Sequence, residues 1–134
     1  YEKGNILERH KDRDSCEIST TLHLGGNEWP IFMDGTGSDN ILQGKDTLKS
    51  FATNKLLPEF TRDPIVIRDG APKGTKITLK VGDMLIYSGC ELEHWREPFE
   101  GNVCSQAFLH YNHAKGPFAK TNLFDKRPLL GIPK

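Results

Sequence analysis

The stretch Cys16-Glu17-Ile18-Ser19-Thr20-Thr21-Leu22-His23-Leu24 decides the fold class. Ile18, Thr20, Leu22 and Leu24 fall on one side of an extended chain, and Glu17, Ser19, Thr21 and His23 on the other, because successive side chains of a strand point to opposite faces. The strand therefore has two differently dressed faces. Gly25-Gly26-Asn27 reads as its end, Trp29–Met33 resumes an extended run, and Asp34-Gly35-Thr36-Gly37 closes that run. Ile65–Arg68, Thr75–Val81, Met84–Ser88 and Val103–Tyr111 are further strand candidates, with Asp69-Gly70 and Gly82-Asp83 as turns. Short strands separated by turn signals predict a chain dominated by β structure, a sandwich or barrel.

One stretch departs from this pattern. Leu48, Phe51, Ala52, Lys55 and Leu56 recur at helical spacing after Asp46 or Thr47 as N-cap, which predicts a short helix on an insertion spanning 35–64. Gly35, Gly37 and Gly44 supply flexibility on one side of that insertion, and its apolar helical face must pack on something, so it is expected to act as a lid that chooses the substrate. Gly116-Pro117, Arg127-Pro128 and Ile132-Pro133 punctuate residues 112–134 and predict a surface tail.

A length of 134 residues fits one domain, 1–134. Eighteen Lys+Arg against eighteen Asp+Glu leave no net field to draw the chain to nucleic acid or an anionic membrane. Its apolar runs fall far short of the roughly 20 residues that span a bilayer. Cys16, Cys90 and Cys104 show no C-x-x-C spacing and cannot all pair, which argues against a disulfide framework or a thiolate zinc knuckle and for a reducing, cytoplasmic setting. Strand-like sequence starts at Tyr1 without a lead-in, as expected for the core or C-terminal part of a longer chain.

His10-Lys11-Asp12 gains meaning from strand periodicity, since residues two apart project to the same side and can meet on one ion. His94, within Glu91-Leu92-Glu93-His94-Trp95-Arg96, is the best-placed third ligand. Two imidazoles and one carboxylate on one face of an octahedron leave positions open for a co-substrate and O₂ on Fe(II), and the same donor set suits Zn(II) or Mn(II). The bland reading of H-x-D is two solvated side chains.

Tyr1-x-x-Gly4 leading to His10-x-Asp12, the run Ile18–Leu24, Gly82-Asp83-Met84-Leu85-Ile86-Tyr87, His94 and Gln106–Tyr111 follow one another in an order that resembles the 2-oxoglutarate/Fe(II)-dependent oxygenase superfamily, in its prolyl 4-hydroxylase-like branch. The resemblance covers most of residues 1–111. It implies a double-stranded β-helix, or jelly roll, enclosing at one mouth an Fe(II) held by His10, Asp12 and His94. It also implies 2-oxoglutarate and O₂ as co-substrates, release of succinate and CO₂, and hydroxylation of an unactivated C–H bond, with a prolyl or other amino-acid side chain, free or in a peptide, as the target class.

The chain departs from that pattern at one point. Relatives hold the far carboxylate of 2-oxoglutarate with an Arg or Lys in a window that here holds Val103 and Cys104, and no basic side chain lies between Arg96 and Lys115. The remaining candidates are Tyr1, His23, Arg96 and Gln106, with a surface ion pair to Glu93 or Glu97 as the alternative for Arg96. Asp14 is too far from His10 in an extended chain to share an ion. His110 and His113 read as a strand end and a loop, and Trp29 and Trp95 as packing residues, with Trp95 able to wall the substrate entrance. Tyr87 and Tyr111 read as half-buried strand aromatics, and Glu91 and Glu93 as solvated loop charges or as acceptors for a ligand N–H. Two other functions fit the same pattern, a cupin-like metal enzyme that uses no oxo acid and a non-catalytic jelly-roll binding module.

Overall fold

The computed structural model describes residues 1–43 and 65–122. The expected helix within 46–60, most of the insertion and residues 123–134 of the tail lie outside the described residues.

Strand β1 (Leu7–His10) leads through a 3₁₀ turn (Asp14–Cys16) to β2 (Ile18–Gly26) and β3 (Ile31–Met33). Then come β4 (Ile41–Gln43), β5 (Val66–Ile67), β6 (Thr75–Ile77), β7 (Met84–Tyr87), β8 (His94–Arg96) and β9 (Cys104–Tyr111). Among the described residues every pairing is antiparallel, in a four-stranded sheet ordered β1-β8-β3-β6, a three-stranded sheet ordered β7-β2-β9, and the pair β4-β5. The expectation of an all-β chain holds, and among the described residues the sheets stay open rather than closing into a barrel.

Four strands differ from their sequence reading, and one of them is β4, which lies within the stretch 35–64 read as an insertion and was not among the strand candidates. Strand β2 does not stop at Gly25-Gly26 but runs through both, pairing Gly25 with Ser105 and Gly26 with Cys104 past a register shift after His23. Gly26 has φ +82°, and a Cβ there would collide with the Val103 carbonyl, so glycine allows the strand to continue close beside β9. The Thr75–Val81 run stops at Ile77, because Asp83 draws the chain into a turn by accepting from the Lys80 amide at 2.9 Å. Strand β8 was not expected, being only three residues long, and exists because β1 and β3 flank it.

Burial alternates along β2 except at Thr20, which is buried although it belongs to the outward set, and the side that faces inward is the polar one. Ser19, Thr21 and His23 are fully buried, whereas Ile18 and Leu24 are exposed beside Met84 and Ile86 of β7 and Leu109 and Tyr111 of β9. Across the gap Tyr87 of β7 meets His94 of β8 edge-on, ring centroids 4.9 Å apart. A small apolar cluster of Trp29, Phe99 and Cys104, with Leu7 against it, closes one end. The interior thus contains a polar lining, which strands bury only where those groups have partners or a ligand to meet.

The two adjacent glycines of β2 separate backbone need from mere presence. Gly26→Ala should lower stability by about 2 kcal/mol, from the left-handed backbone and the displaced Val103. Gly25→Ala, with open space at its Cβ, should stay within roughly 0.5 kcal/mol of the parent. Urea unfolding of both variants checks the contrast.

Candidate metal centre

His10 ends β1 and His94 begins β8, and the two are direct cross-strand partners, with ring centroids 4.4 Å apart. Asp12 lies just beyond β1 rather than in it, where its amide donates to the Gly89 carbonyl at 2.8 Å. The donor atoms of His10, Asp12 and His94 all fall within 4.8 Å of one another. Asp12 Oδ1 is 3.5 Å from His10 Nε2 and 3.7 Å from His94 Nε2. Ligand atoms bound at about 2.1 Å on adjacent corners of one ion sit roughly 3 Å apart, so small rotations bring the three to a metal.

Both rings are oriented the same way. His10 Nδ1 meets the Glu8 carbonyl at 2.7 Å and His94 Nδ1 the Leu92 carbonyl at 2.9 Å. A carbonyl can only accept, so each Nδ1 carries the hydrogen and each Nε2 presents its lone pair to the centre. Ser19 Oγ donates to Asp12 Oδ2 at 2.6 Å, which occupies the oxygen turned away from the imidazoles. Gly89 must lack a side chain, because a Cβ there would strike Ser19 Oγ and Asp12 Oδ2.

Electrostatics set the protonation that a metal requires. Burial, reinforced by the neighbouring His10, lowers the His94 pKa to about 4. Burial opposes ionisation of Asp12, but a hydrogen bond from His10, the Ser19 hydroxyl and the charges of His94 and His10, which the rings carry only when acid has protonated their Nε2 atoms, outweigh it and hold the carboxyl at about 2. Neutral His94 and ionised Asp12 are the forms that ligate near neutral pH. The donor set fits a divalent ion.

Beside this trio lies a second polar group. Arg96, two residues beyond His94 and on the same face of β8, is 1% exposed. Its Nη1 donates to the Trp29 carbonyl and its guanidinium lies 5.1 Å from the Trp29 ring, while Nε and Nη2 are buried without a hydrogen-bond partner. Thr21 Oγ1, His23 Nε2 and Gln106 Oε1 are also buried and unpartnered, and His23 and Gln106 are cross-strand partners. Tyr1 packs edge-on against Trp29 at 4.8 Å, and burial raises its hydroxyl pKa while Arg96 pulls it the other way. Tyr1, His23, Arg96 and Gln106 thus border one region, and Thr21 joins them.

Several sequence readings need correction. Arg96 makes no surface ion pair with Glu93 or Glu97, because it points inward. Glu93 is neither solvated nor an acceptor for an imidazole N–H: it is 1% exposed and bonded to Arg9 and Asn40, while backbone carbonyls serve the imidazoles. Glu91 does sit in solvent, bonded to Ser88. Trp95 points away from His94, stacked on Phe32 and capped by Arg9 at 4.3 Å, so it packs and does not wall the centre. Tyr87 is buried, with a pKa pushed up to about 12 by burial and the Asp12 charge, and Tyr111 is exposed.

His110 lies behind Asp12. Asp12, Cys16 and His110 form another close group of potential ligands, but the Ser19 hydroxyl stands between Asp12 and His110 and bonds to both. His113 offers its backbone amide to Glu17 and its carbonyl to the Gly116 amide. Ser19, Thr21 and Gly89 were missed from sequence, although the parity of β2 puts Ser19 and Thr21 on the face of His23. Gly35 and Gly37, expected to give the insertion its flexibility, lie in an exposed turn whose Asp34 accepts from the Thr36 amide and hydroxyl.

No helix among the described residues is long and apolar enough to cross a membrane. Compared with known proteins, the chain matches no family model, no curated protein and no solved structure.

The lowered His94 pKa has a thermodynamic consequence for the metal-free chain. The unfolded histidine, with its ordinary pKa near 6.5, binds a proton that the folded one refuses until about pH 4. Stability should therefore be full above pH 6.5 and fall as pH drops towards 4, by up to about 3 kcal/mol. Urea unfolding in chelator between pH 7.5 and pH 4.5 should show this slope, and His94→Gln should flatten it.

Proposed function

We propose that the chain is an Fe(II)- and 2-oxoglutarate-dependent oxygenase of the jelly-roll, double-stranded β-helix type, which hydroxylates an unactivated C–H bond. The observation that carries this reading is the buried Arg96 guanidinium with Nε and Nη2 unpartnered, on the same strand face as His94. A buried cation without a carboxylate is costly, so its natural complement is the anionic end of a ligand that also reaches the metal. Strand geometry sets the length of that ligand: residues two apart on one face are about 7 Å apart at their backbone, which suits a short 2-oxo dicarboxylate bridging ion and guanidinium.

In this reading His10, Asp12 and His94 would hold Fe(II), a set of three protein donors that would leave the ion able to take further ligands. The bound iron supplies the oxidising chemistry, with 2-oxoglutarate, O₂ and R–H giving succinate, CO₂ and R–OH. The chain supplies orientation and charge. Arg96 receives the distal carboxylate in two directed hydrogen bonds, and Thr21, His23, Gln106 and Tyr1 offer polar contacts around it. Ser19 and Gly89 fix Asp12, and Tyr87, held protonated by its raised pKa, packs its ring on His94. The target class remains a prolyl or other amino-acid side chain, on the likeness of the sequence alone.

Oxygen uptake tests the proposal. The Fe(II)-loaded chain should consume O₂ only with 2-oxoglutarate and form succinate, and uptake indifferent to the acid would move the assignment to a cupin-like enzyme. Arg96→Met should weaken 2-oxoglutarate by about 30-fold, the loss of roughly 2 kcal/mol of charge-assisted hydrogen bonding, with metal content unchanged.

A further inference from the structure

The pairing that brings His10 opposite His94 is thin. Strands β1 and β8 have two register pairs, Leu7↔Arg96 and His10↔His94, with an irregularity between them. Three steps on β1 answer two on β8, so β1 carries an extra residue immediately before its metal-ligand candidate. A slip of one residue would turn His10 away from His94 altogether, since side chains alternate faces. Two pairs around a bulge do little to forbid such a slip.

The restraint lies on the opposite face. Arg9 and Glu93 each immediately precede one of the two histidines, so they project to the back of the β1-β8 pair. Arg9 Nε donates to Glu93 Oε2 at 2.7 Å, and Nη2 is 2.7 Å from both Glu93 Oε2 and Asp34 Oδ2. Nη1 donates to the Pro72 carbonyl at 2.7 Å, so all three guanidinium nitrogens are engaged. Glu93 Oε1 accepts from the Asn40 amide at 2.6 Å and the Ile41 amide at 3.3 Å, and the Asn40 side chain bonds both carboxylates. Asp34 also donates its amide to the Glu93 carbonyl at 2.8 Å. The Arg9, Asp34 and Glu93 side chains are 9%, 1% and 0% exposed.

We infer that Arg9 and Glu93 are positioning residues: their buried ion pair on the back of the β1-β8 ladder fixes the register that sets His10 opposite His94. A planar guanidinium held in three directions admits one register, because a shift of one residue would leave buried charges unpaired. Asp34 and Asn40 complete the lock from the loop that leads to β4. The inference rests on the metal reading of His10, Asp12 and His94, and it adds two residues that touch neither metal nor ligand.

Co(II) is the probe, titrated into the full chain and read by its visible ligand-field bands. The wild type should bind one equivalent. Arg9→Lys keeps the charge but loses the fork. It should retain a cooperative melt yet bind Co(II) about tenfold more weakly, with shifted bands, as is typical when residues behind metal ligands are altered. A purely stabilising network would lower the melting temperature and leave affinity and bands unchanged. That result in folded Arg9→Lys would overturn the inference while sparing the metal reading. A wild type that binds no Co(II) would overturn the metal reading itself. Should Arg9→Lys not fold, Asp34→Asn removes one of the two carboxylates on Arg9 and is titrated in the same way: weaker Co(II) binding with shifted bands supports the inference, and unchanged affinity and bands overturn it.

Discussion

The structure depends on one constraint, the meeting of two imidazoles from different strands with a carboxylate held between them. Asp12 is not free to choose its position. The Gly89 carbonyl takes its amide, Ser19 takes one carboxylate oxygen, and the other oxygen is left facing His10 and His94. Backbone carbonyls fix each imidazole so that its lone pair faces inward. These contacts join β1, β2, β8 and the turn at Gly89, so the centre and the contact between the two larger sheets are the same feature.

From this follows the unusual dressing of the interior. In an ordinary sandwich the apolar side of each strand turns inward. Here the inward side of β2 carries Ser19, Thr21 and His23, while among the described residues the buried apolar side chains, such as Trp29, Phe99, Ile31 and Met33, come from other segments. Buried polar groups lower stability unless satisfied, so each of these calls for a partner. The unpartnered atoms of Arg96, Thr21, His23 and Gln106 therefore bear on function more directly than the strand count does.

What could be read from sequence followed the range of the signal. The period-two run from Ile18 to Leu24 is local, so β2 and the class of the fold were legible. Which of its faces would be buried was not, because that is settled by β7, β9 and β8, distant in the chain. His10, Asp12 and His94 stood out as a ligand set, and the structure brings them together. Glu93 and Arg96 were misjudged because their surroundings are long-range: Arg9 lies 84 positions from Glu93, and the Trp29 carbonyl 67 from Arg96. Strand β8 was invisible for a similar reason, as three residues carry no periodicity. Gly25-Gly26 looked like a terminator because sequence cannot distinguish a glycine that ends a strand from one that lets it pass close to a neighbour.

The most direct test of the centre is X-ray absorption on the anaerobic chain loaded with Fe(II). The account predicts one iron per chain with two imidazole nitrogens at about 2.1 Å in its coordination sphere, the remainder oxygen, and loss of one imidazole in His94→Ala. Iron bound without imidazole scattering, or bound identically in that variant, would contradict it.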